Sequence, residues 1–313
     1  MAKIVFMGTP EFALPSLDRL NKSSHQIVLV VCQPDRKKDR GLKIGFSPIK
    51  QYATQHQLEL FQPPSLKQEE ALDRLAKCQA DFFVVVAFGK MLPNEILELP
   101  KIACVNAHPS LLPKFRGPSP MQFALLEGEK QTGTTTMLIS EEMDAGDILL
   151  SAETSIEPDE KIDSLSNRLA VMSAELLLRT IDDFDKITPA AQDGARSTYT
   201  RMIEKNDRLL KFDEKAIRLH QRFRALTPDP GVYCLFRGKR LMIKDMRLNS
   251  PDSKQQTGFK PGEILSIEQD SITVQSNEGS LTILSVQQEN KKAMSVRDFI
   301  NGYKLTTKDV FSW

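Results

Sequence analysis

Apolar segments typical of buried strands alternate with helical segments over the first 105 residues. Residues 81–88, with the sequence DFFVVVAF, are rich in β-branched and aromatic side chains and end before Gly89. Shorter runs of the same kind lie at residues 3–7, 27–31 and 102–105, with helical patterns between them. This alternation predicts an α/β fold with a Rossmann-like parallel sheet and helices on both of its faces.

Glycine-containing or polar segments follow the ends of these predicted strands. They are Gly8-Thr9-Pro10, the loop from Gln33, Phe88-Gly89 and the stretch after Val105. Ligands of parallel sheets bind beyond the carboxyl ends of the strands, so the sequence predicts one cleft at that edge. The turn after the first strand is not G-x-G-x-x-G, and dinucleotide binding is therefore not supported.

The second part of the chain has a different pattern. A long amphipathic helix is predicted for residues 163–184, and a polar, irregular stretch follows it. Beyond residue 231, five short alternating runs bounded by Gly, Pro, Asn or Ser predict a small β-barrel. We therefore expect a catalytic domain at residues 1–187, a linker at residues 188–204 and a second domain at residues 205–313.

Charge is distributed unevenly along a chain whose formal net charge is only +1. Residues 205–313 contain 19 Lys and Arg against 13 Asp and Glu, and residues 205–260 alone contain 14 against 6. A basic half favours a polyanionic partner, although a solvated lysine-rich face has the same composition. Charge alone leaves both interpretations open.

The four cysteines exclude some classes of protein. Cys32, Cys78, Cys104 and Cys234 show neither a CxxC pair nor a Cys/His ligand spacing, so we expect no metal site. Free thiols suit a reducing compartment, and we expect a cytoplasmic protein. No apolar run reaches the roughly 18 residues that a membrane-spanning helix needs, and the N-terminus lacks the layout of a signal peptide.

Asn106 and His108 follow the fourth predicted strand at alternate positions. Residues i and i+2 of an extended chain point the same way, so an amide donor and an imidazole share one face. A second glycine-containing loop supplies Asp144, whose carboxylate could orient His108 or relay protons. The three fit acyl transfer. On spacing alone, however, Asn-x-His is more often structural, and Asp144 could merely cap a turn.

The wider motif is more specific than its spacing. The segment Asn106-x-His108-x-Ser110-Leu111-Leu112-Pro113, followed by Gly117 and Asp144, resembles the active-site signature of folate-dependent formyltransferases. Further segments are similar to the branch of that family that acts on methionyl-tRNA: residues 4–12 (IVFMGTPEF), residues 33–50, Phe88-Gly89-Lys90-Met91-Leu92-Pro93 and Lys291-Lys292-Ala293-Met294. The resemblance extends from about residue 3 to about residue 300.

The resemblance implies that a formyl group moves from 10-formyltetrahydrofolate to the α-amino group of methionyl initiator tRNA, for translation initiation. Asn106 would then hydrogen-bond the formyl oxygen, and His108 would stabilise the oxyanion and help to protonate the leaving N10. Asp144 would orient His108 and take up the proton of the attacking amine. The expected folate contacts are Ser110, Leu111, Leu112, Pro113, Phe88 and Gly89. This chemistry requires no metal.

The resemblance also implies contacts with tRNA. The residues expected to make them are Arg36, Lys37, Lys38, Arg40 and Lys43, in a loop that the family directs toward the acceptor end, and Lys205. The basic segment 205–260 would follow the acceptor arm. The second domain is expected to be an OB-like β-barrel, and the protein a monomer.

Local features beside the active-site motif depart from the family pattern. A proline directly after the histidine, here Pro109, resembles the motif of glycinamide ribonucleotide formyltransferases. The segment Gly117-Pro118-Ser119-Pro120 replaces the pair of small residues that usually precedes the next helix.

Other formyltransferases have a different domain organisation. Glycinamide ribonucleotide enzymes are usually one short domain, and enzymes acting on amino sugar-nucleotides usually add a dehydrogenase domain that these 313 residues do not contain. A formyltetrahydrofolate hydrolase should lack the basic loop. An RNA-binding protein with an inactive catalytic domain would not need Asn106, His108 and Asp144 together.

Overall fold

The computed structural model describes residues 1–38, 43–250 and 258–313. Two compact units account for them. The first comprises Met1–Pro120, Gln131–Ile156 and Leu165–Arg201, and the second comprises Met121–Lys130, Glu157–Ser164 and Met202–Trp313. The chain passes between the units more than once, and the domain division at residues 187 and 205 stays a prediction.

The first unit is organised around a seven-stranded sheet, counted over the described residues. The strands of this unit are β1 (Lys3–Gly8), β2 (Gln26–Val31), β3 (Arg36–Lys38), β4 (Lys43–Gly45), β5 (Leu60–Phe61), β6 (Phe82–Val86), β7 (Ala103–His108), β8 (Gln131–Leu138) and β9 (Ile148–Ser155). The order across the sheet is β5-β2-β1-β6-β7-β8-β9, and β3 and β4 form a separate antiparallel pair. The first five strands in that order are parallel, as predicted.

The sheet is mixed rather than wholly parallel, because β8 pairs antiparallel with both β7 and β9. A hairpin such as β8–β9 needs no crossover helix, so this edge contains no βαβ unit. The central strands are buried on both faces, as expected for parallel strands covered by helices. Ile4 and Val5, consecutive residues of β1 that point to opposite faces, are both 0% exposed.

Helices connect the strands, and the start of α2 shows a recognisable capping signal. They are α1 (Leu14–Asn21), α2 (Pro48–Gln55), α3 (Glu69–Ala76), α4 (Asn94–Leu97), α5 (Pro120–Leu126), α6 (Ile162–Asp182), α7 (Ala216–Leu226) and α8 (Val296–Tyr303). Ser47 Oγ accepts a hydrogen bond from Lys50 N at 3.1 Å and so caps α2, which starts at Pro48. No helix within the described ranges combines the length and apolar character that crossing a membrane requires.

The second unit contains the antiparallel β-barrel predicted for the C-terminal part. Its strands are β10 (Val232–Phe236), β11 (Lys239–Leu248), β12 (Ile264–Ile267), β13 (Ile272–Gln275), β14 (Ser280–Gln288), β15 (Met294–Ser295) and β16 (Phe311–Ser312). The order is β12-β13-β14-β11-β10-β16, and β15 pairs with β14. An isolated bridge between Glu263 and Val310, next to the two outer strands, closes the sheet. Alternate residues of β10 are buried, which is the pattern of a strand with one face toward a core.

Candidate active site

Strand β7 carries both Asn106 and His108. The strand is longer than the predicted 102–105, because β8 supplies an antiparallel partner that places Met137 opposite Asn106 and Thr135 opposite His108. Asn106 also lies opposite Val85 of β6, so the carboxyl ends of β6 and β7 emerge at the same edge of the sheet. The prediction that Asn106 and His108 occupy one face therefore follows from regular strand geometry.

The His108 ring is buried, and each of its nitrogens faces an oxygen atom. Its Nε2 lies 2.9 Å from the carbonyl oxygen of Phe115, and its Nδ1 lies 3.6 Å from Asp144 Oδ2. A carbonyl oxygen only accepts hydrogen bonds, so Nε2 carries a hydrogen in this arrangement. Nδ1 is therefore the nitrogen at which His108 can gain or lose a proton, and it faces a carboxylate.

Asp144 lies in the loop between β8 and β9, and the backbone amide of Gly117 fixes its side chain. Gly117 N donates to Asp144 Oδ2 at 2.8 Å. The carboxylate is 17% exposed, so it combines a fixed orientation with access to solvent. The loop turns back at Gly146, where an added Cβ would lie 1.8 Å from the carbonyl oxygen of Leu138. The turn that presents Asp144 thus requires a glycine at position 146.

Three residues without glycine's freedom adopt left-handed backbone conformations around this site. The φ angles are +47° at Ala87, +60° at Phe115 and +52° at Asp144. Such conformations are uncommon for non-glycine residues and cluster at functional sites, where the surrounding structure must hold them. Ala87 follows β6, the Phe115 carbonyl contacts His108, and Asp144 carries the carboxylate.

The Asn106 amide has a different environment. The side chain is half-buried, and no protein group hydrogen-bonds it among the residues that the structure describes. Its NH2 group is therefore available to an oxygen atom placed beside His108. Over the same described ranges, no group of three or more His, Cys, Asp or Glu residues is arranged to hold a metal ion.

The residues expected to contact folate occupy two places. Ser110 is fully buried, and its hydroxyl donates to the carbonyl oxygen of Lys114 at 2.6 Å, so its side chain shapes the loop. Leu111 and Pro113 are half-buried, Leu112 is 8% exposed, and the Leu112–Pro113 peptide is cis. These side chains offer the apolar surface of the loop that follows His108.

Phe88 and Gly89 lie at the end of β6 and line a cavity of about 410 Å³. None of Asn106, His108 and Asp144 lines this cavity. Gln33 Nε2 donates to the carbonyl oxygens of Phe88 at 2.9 Å and Gly89 at 3.2 Å, which fixes this strand end. The cavity therefore lies beyond the end of β6, the neighbour of β7 in the sheet.

The residues expected to contact tRNA are separated. The backbones of Arg36, Lys37, Lys38 and Lys43 belong to the β3–β4 pair, whereas Arg40 lies outside the described residues. Lys205 is exposed at the start of a short 3-10 turn in the second unit. Their role toward tRNA stays a prediction.

Gln192 lies in the predicted linker of residues 188–204, yet it contacts the loop that carries Asp144. Gln192 Nε2 donates to the main-chain carbonyls of Asp144 at 2.9 Å and Gly146 at 2.7 Å. Arg116, which is buried and has no role predicted from the sequence, donates to Gln192 Oε1. A lone glutamine in a polar segment belongs to no recognisable pattern, so only the fold reveals this contact.

Comparison with known proteins shows to which family this chain belongs. The model of the formyl transferase family matches residues 2–181, and that of the formyl transferase C-terminal domain matches residues 202–304. The chain therefore belongs to the formyl transferase family. It is 40% identical to methionyl-tRNA formyltransferase of Syntrophus aciditrophicus (strain SB), over 99% of both chains. It is 41% identical to methionyl-tRNA formyltransferase of Thermodesulfovibrio yellowstonii, over 96% of both chains. Within the family it falls in this methionyl-tRNA branch.

A solved structure extends the comparison to the fold. The N-formyltransferase from Helicobacter canadensis, crystallised with folinic acid and dTDP-3-aminofucose, superposes with a TM-score of 0.66. The match covers 92% of this chain and all of that one, at 17% identity. At this identity the likeness establishes a common fold and nothing about the acceptor.

Proposed function

We propose that this chain transfers a formyl group from 10-formyltetrahydrofolate to the α-amino group of methionyl initiator tRNA, for translation initiation in the cytoplasm. The observation that carries the proposal is the convergence of Asn106, His108 and Asp144 at one sheet edge. That convergence occurs in a chain about 40% identical to methionyl-tRNA formyltransferases over both units. The folate donor and the tRNA are both substrates that leave after each turnover.

Formyl transfer needs one bond to form, one to break and one proton to move. The amine nitrogen of the methionyl group attacks the formyl carbon, whose oxygen becomes negatively charged in the tetrahedral intermediate. The bond from the formyl carbon to N10 of the folate then breaks. The amine loses a proton and N10 gains one, so the net reaction needs no oxidant and no further substrate.

Asn106 and His108 serve the developing oxyanion. The Asn106 NH2 group is free to donate to the formyl oxygen, and a fixed donor in a partly buried site is worth roughly 3 kcal/mol in oxyanion sites of this kind. His108 contributes positive charge when Nδ1 is protonated as well as Nε2, and the proton on Nδ1 can pass to N10. The Phe115 carbonyl keeps the ring in the orientation that this transfer needs.

Asp144 receives the proton of the attacking amine. Its carboxylate is oriented by Gly117 N and faces His108 Nδ1 across 3.6 Å, so one group accepts protons beside another that donates them. This distance is longer than a hydrogen bond, so the two groups face each other as acid and base without bonding directly. The pair thus supports acid–base catalysis without a metal.

The folate donor requires a mainly apolar surface next to Asn106. Leu111, Leu112 and Pro113 offer it in the loop after β7, and the backbone at Phe88 and Gly89 borders the adjacent cavity. The Helicobacter relative was crystallised with folinic acid, a reduced formyl folate, which supports a folate donor here. Ser110 contributes through the shape of the loop, since its hydroxyl is already bound to Lys114.

Recognition of tRNA is assigned to basic residues outside the chemical site. Arg36, Lys37, Lys38, Arg40 and Lys43 concentrate positive charge in the inserted loop, and Lys205 begins the basic segment 205–260. Contacts of lysine and arginine with phosphates position a nucleic acid and weaken with salt. Arg40→Ala is therefore expected to raise KM for tRNA roughly tenfold while KM for the folate stays within about twofold. An equal rise in both would contradict this division of roles.

The deciding experiment supplies 10-formyltetrahydrofolate and compares acceptors. Charged initiator tRNA, methionyl elongator tRNA, glycinamide ribonucleotide and a dTDP-amino sugar are tested side by side with the purified chain. The proposal predicts rapid formylation of the initiator tRNA alone. Preferred formylation of either small acceptor, or release of formate without an acceptor, would overturn it.

A further inference from the structure

The segment from residue 190 to residue 200, called the strap below, is tied to the start of β9, which follows the Asp144 loop, and to the loop after β7, which contacts His108. At one end, Ala190 and Ile148 exchange two backbone hydrogen bonds, of 2.8 and 2.9 Å. At the other end, Arg116 N donates to Thr198 O at 2.9 Å, and Thr200 N donates to Arg116 O at 2.7 Å. A free linker would have no reason to pair at both of these places.

Between these ends, the Gln192 side chain uses all of its polar atoms. Its Nε2 donates to the carbonyls of Asp144 and Gly146 at 2.9 and 2.7 Å, and its Oε1 accepts from Arg116 Nε and Nη2 at 3.0 and 2.9 Å. Carbonyls only accept and a guanidinium only donates, so these partners determine which way the amide points. Of these two carbonyl groups, one belongs to Asp144, which has the left-handed conformation, and the other to Gly146, at which the loop turns.

Arg116 is the buried member of this cluster. It is 4% exposed, and its Nη1 donates to Tyr199 Oη at 3.0 Å and to Glu142 Oε1 at 3.4 Å. Tyr199 Oη donates in turn to the same Glu142 oxygen at 3.1 Å. A buried guanidinium is costly unless its donors are satisfied, so this network keeps Arg116 in one position.

Residues 115–117 and Gln192 together contact both His108 and the Asp144 loop. The Phe115 carbonyl contacts His108, Gly117 N holds the Asp144 carboxylate, and Arg116 lies between these two residues in the chain. Gln192 joins the Arg116 side chain to the backbone on which Asp144 sits. Without that link, the 3.6 Å spacing between His108 and Asp144 would rest on the Gly117 amide, on the exposed contacts of Glu142 and on a turn with an unfavourable φ angle.

We propose that Gln192 and Arg116 are positioning residues that set the separation of His108 and Asp144, so that the strap belongs to the catalytic apparatus. The proposal rests on the proposed roles of His108 and Asp144 in formyl transfer. It assigns to the strap an effect on the rate of the chemical step and none on substrate affinity.

Gln192→Glu tests this with little change of shape. The new carboxylate keeps Arg116 as a partner but loses both donations, to Asp144 O and Gly146 O. Two lost hydrogen bonds predict a fall in kcat of roughly 10- to 100-fold, with KM for both substrates within about twofold. The pH profile of kcat should shift relative to wild type, because the His108–Asp144 spacing changes. Gln79→Glu is the control: exposed Gln79 Nε2 also donates to a backbone carbonyl, of Ala76, and this variant should behave as wild type.

Coupling to Asp144 separates positioning from folding. In an Asp144→Asn background, Gln192→Glu should lower the single-turnover rate by less than about twofold, because the group that it positions is already disabled. Tyr199→Phe removes only a hydroxyl from a half-exposed ring, and serves as a second variant if Gln192→Glu does not fold. A fall of roughly threefold in kcat, with unchanged KM, is expected from the loss of its hydrogen bonds with Arg116 and Glu142.

The outcomes are distinguishable. Wild-type kcat and pH profile in both strap variants would overturn the proposal while leaving formyl transfer intact. A fall in kcat that only matches the loss of folded protein, with an unchanged pH profile, would overturn it as well. A wild-type chain that formylates no acceptor would instead overturn the proposed function, and this inference with it.

Discussion

Each unit of the molecule contains a buried histidine beside an aspartate, and the two pairs are almost equal in length. His108 Nδ1 lies 3.6 Å from Asp144 Oδ2 in the first unit, and His220 Nε2 lies 3.5 Å from Asp159 Oδ1 in the second. Both imidazoles are close to fully buried, with 6% and 5% of the side chain exposed. Separation and burial of the histidine therefore do not distinguish a catalytic pair from a structural one.

The aspartates differ. Asp144 is 17% exposed and is held by Gly117 N, whereas the Asp159 side chain is 88% exposed. An exposed carboxylate is screened by water and contributes little to its partner. Burial, with Arg224 and Lys161 nearby, accordingly lowers the pKa of His220 to about 4, even though Asp159 acts in the opposite direction. His220 is neutral at pH 7 and packs against Phe223 as part of the core.

The two pairs therefore differ in the carboxylate and in the contacts that fix it, and these contacts distinguish the proposed catalytic pair from the structural one. The aspartate of the first pair sits on a loop in a left-handed conformation, locked by a glycine turn and by Gln192. The second pair has no such frame around Asp159 among the contacts that the structure describes. Of the two pairs, only the one proposed to move a proton is held by backbone geometry that is costly to maintain.

The largest difference is expected from removing each carboxylate in turn. Asp144→Asn should lower kcat for formyl transfer roughly 10³-fold, because the amine loses its proton acceptor. Asp159→Asn, the matched change beside His220, should leave kcat within about twofold of wild type. Steady-state kinetics with charged initiator tRNA measures both effects. Similar effects of the two substitutions would contradict the distinction between a catalytic and a structural pair.

The second difference is in acid stability. The folded pKa of His220 lies below its ordinary value of 6.5, so its contribution to stability is complete above pH 6.5 and is lost as the pH falls toward 4. The lost contribution is roughly 3 kcal/mol at full protonation. Urea unfolding followed by fluorescence of Trp313, the only tryptophan, reports on the second unit. His220→Gln should flatten the dependence between pH 6.5 and 4, and an unchanged slope would refute the assignment.

A smaller effect is expected from the glycine that turns the Asp144 loop. In Gly146→Ala the new Cβ would meet the Leu138 carbonyl, so the loop must shift. We expect a loss of about 2 kcal/mol in stability, with reduced kcat. Gly302→Ala, outside both the site and the strap, is the control, because a Cβ there has no neighbour within 4 Å. Equal melting temperatures for both variants would show that the loop tolerates a side chain at position 146.

Much of this arrangement could be predicted from the sequence, because it rests on local pattern. The run of residues 81–88 indicated the central strand, and the alternation of Asn106 and His108 indicated their common face. The short bounded runs after residue 231 indicated the barrel. Motif resemblance added Asp144, which pattern alone left ambiguous.

The parts that were not predicted depend on contacts between distant residues. The extension of β7 through His108 needs β8 as a partner, and the mixed character of the sheet follows from the same pairing. The Ser110 hydroxyl is used within its own loop, which no sequence pattern reveals. Gln192 lies 48 positions from Asp144, in a segment whose polar composition indicates a linker.

The most direct measurement compares His108→Gln with His220→Gln in single-turnover formylation of methionyl initiator tRNA at pH 7. Both substitutions replace a buried imidazole by an uncharged side chain that can still hydrogen-bond. We expect a rate reduced by roughly 10³-fold for His108→Gln, and a rate within about twofold of wild type for His220→Gln. A wild-type rate in His108→Gln, or equal losses in the two variants, would contradict this expectation.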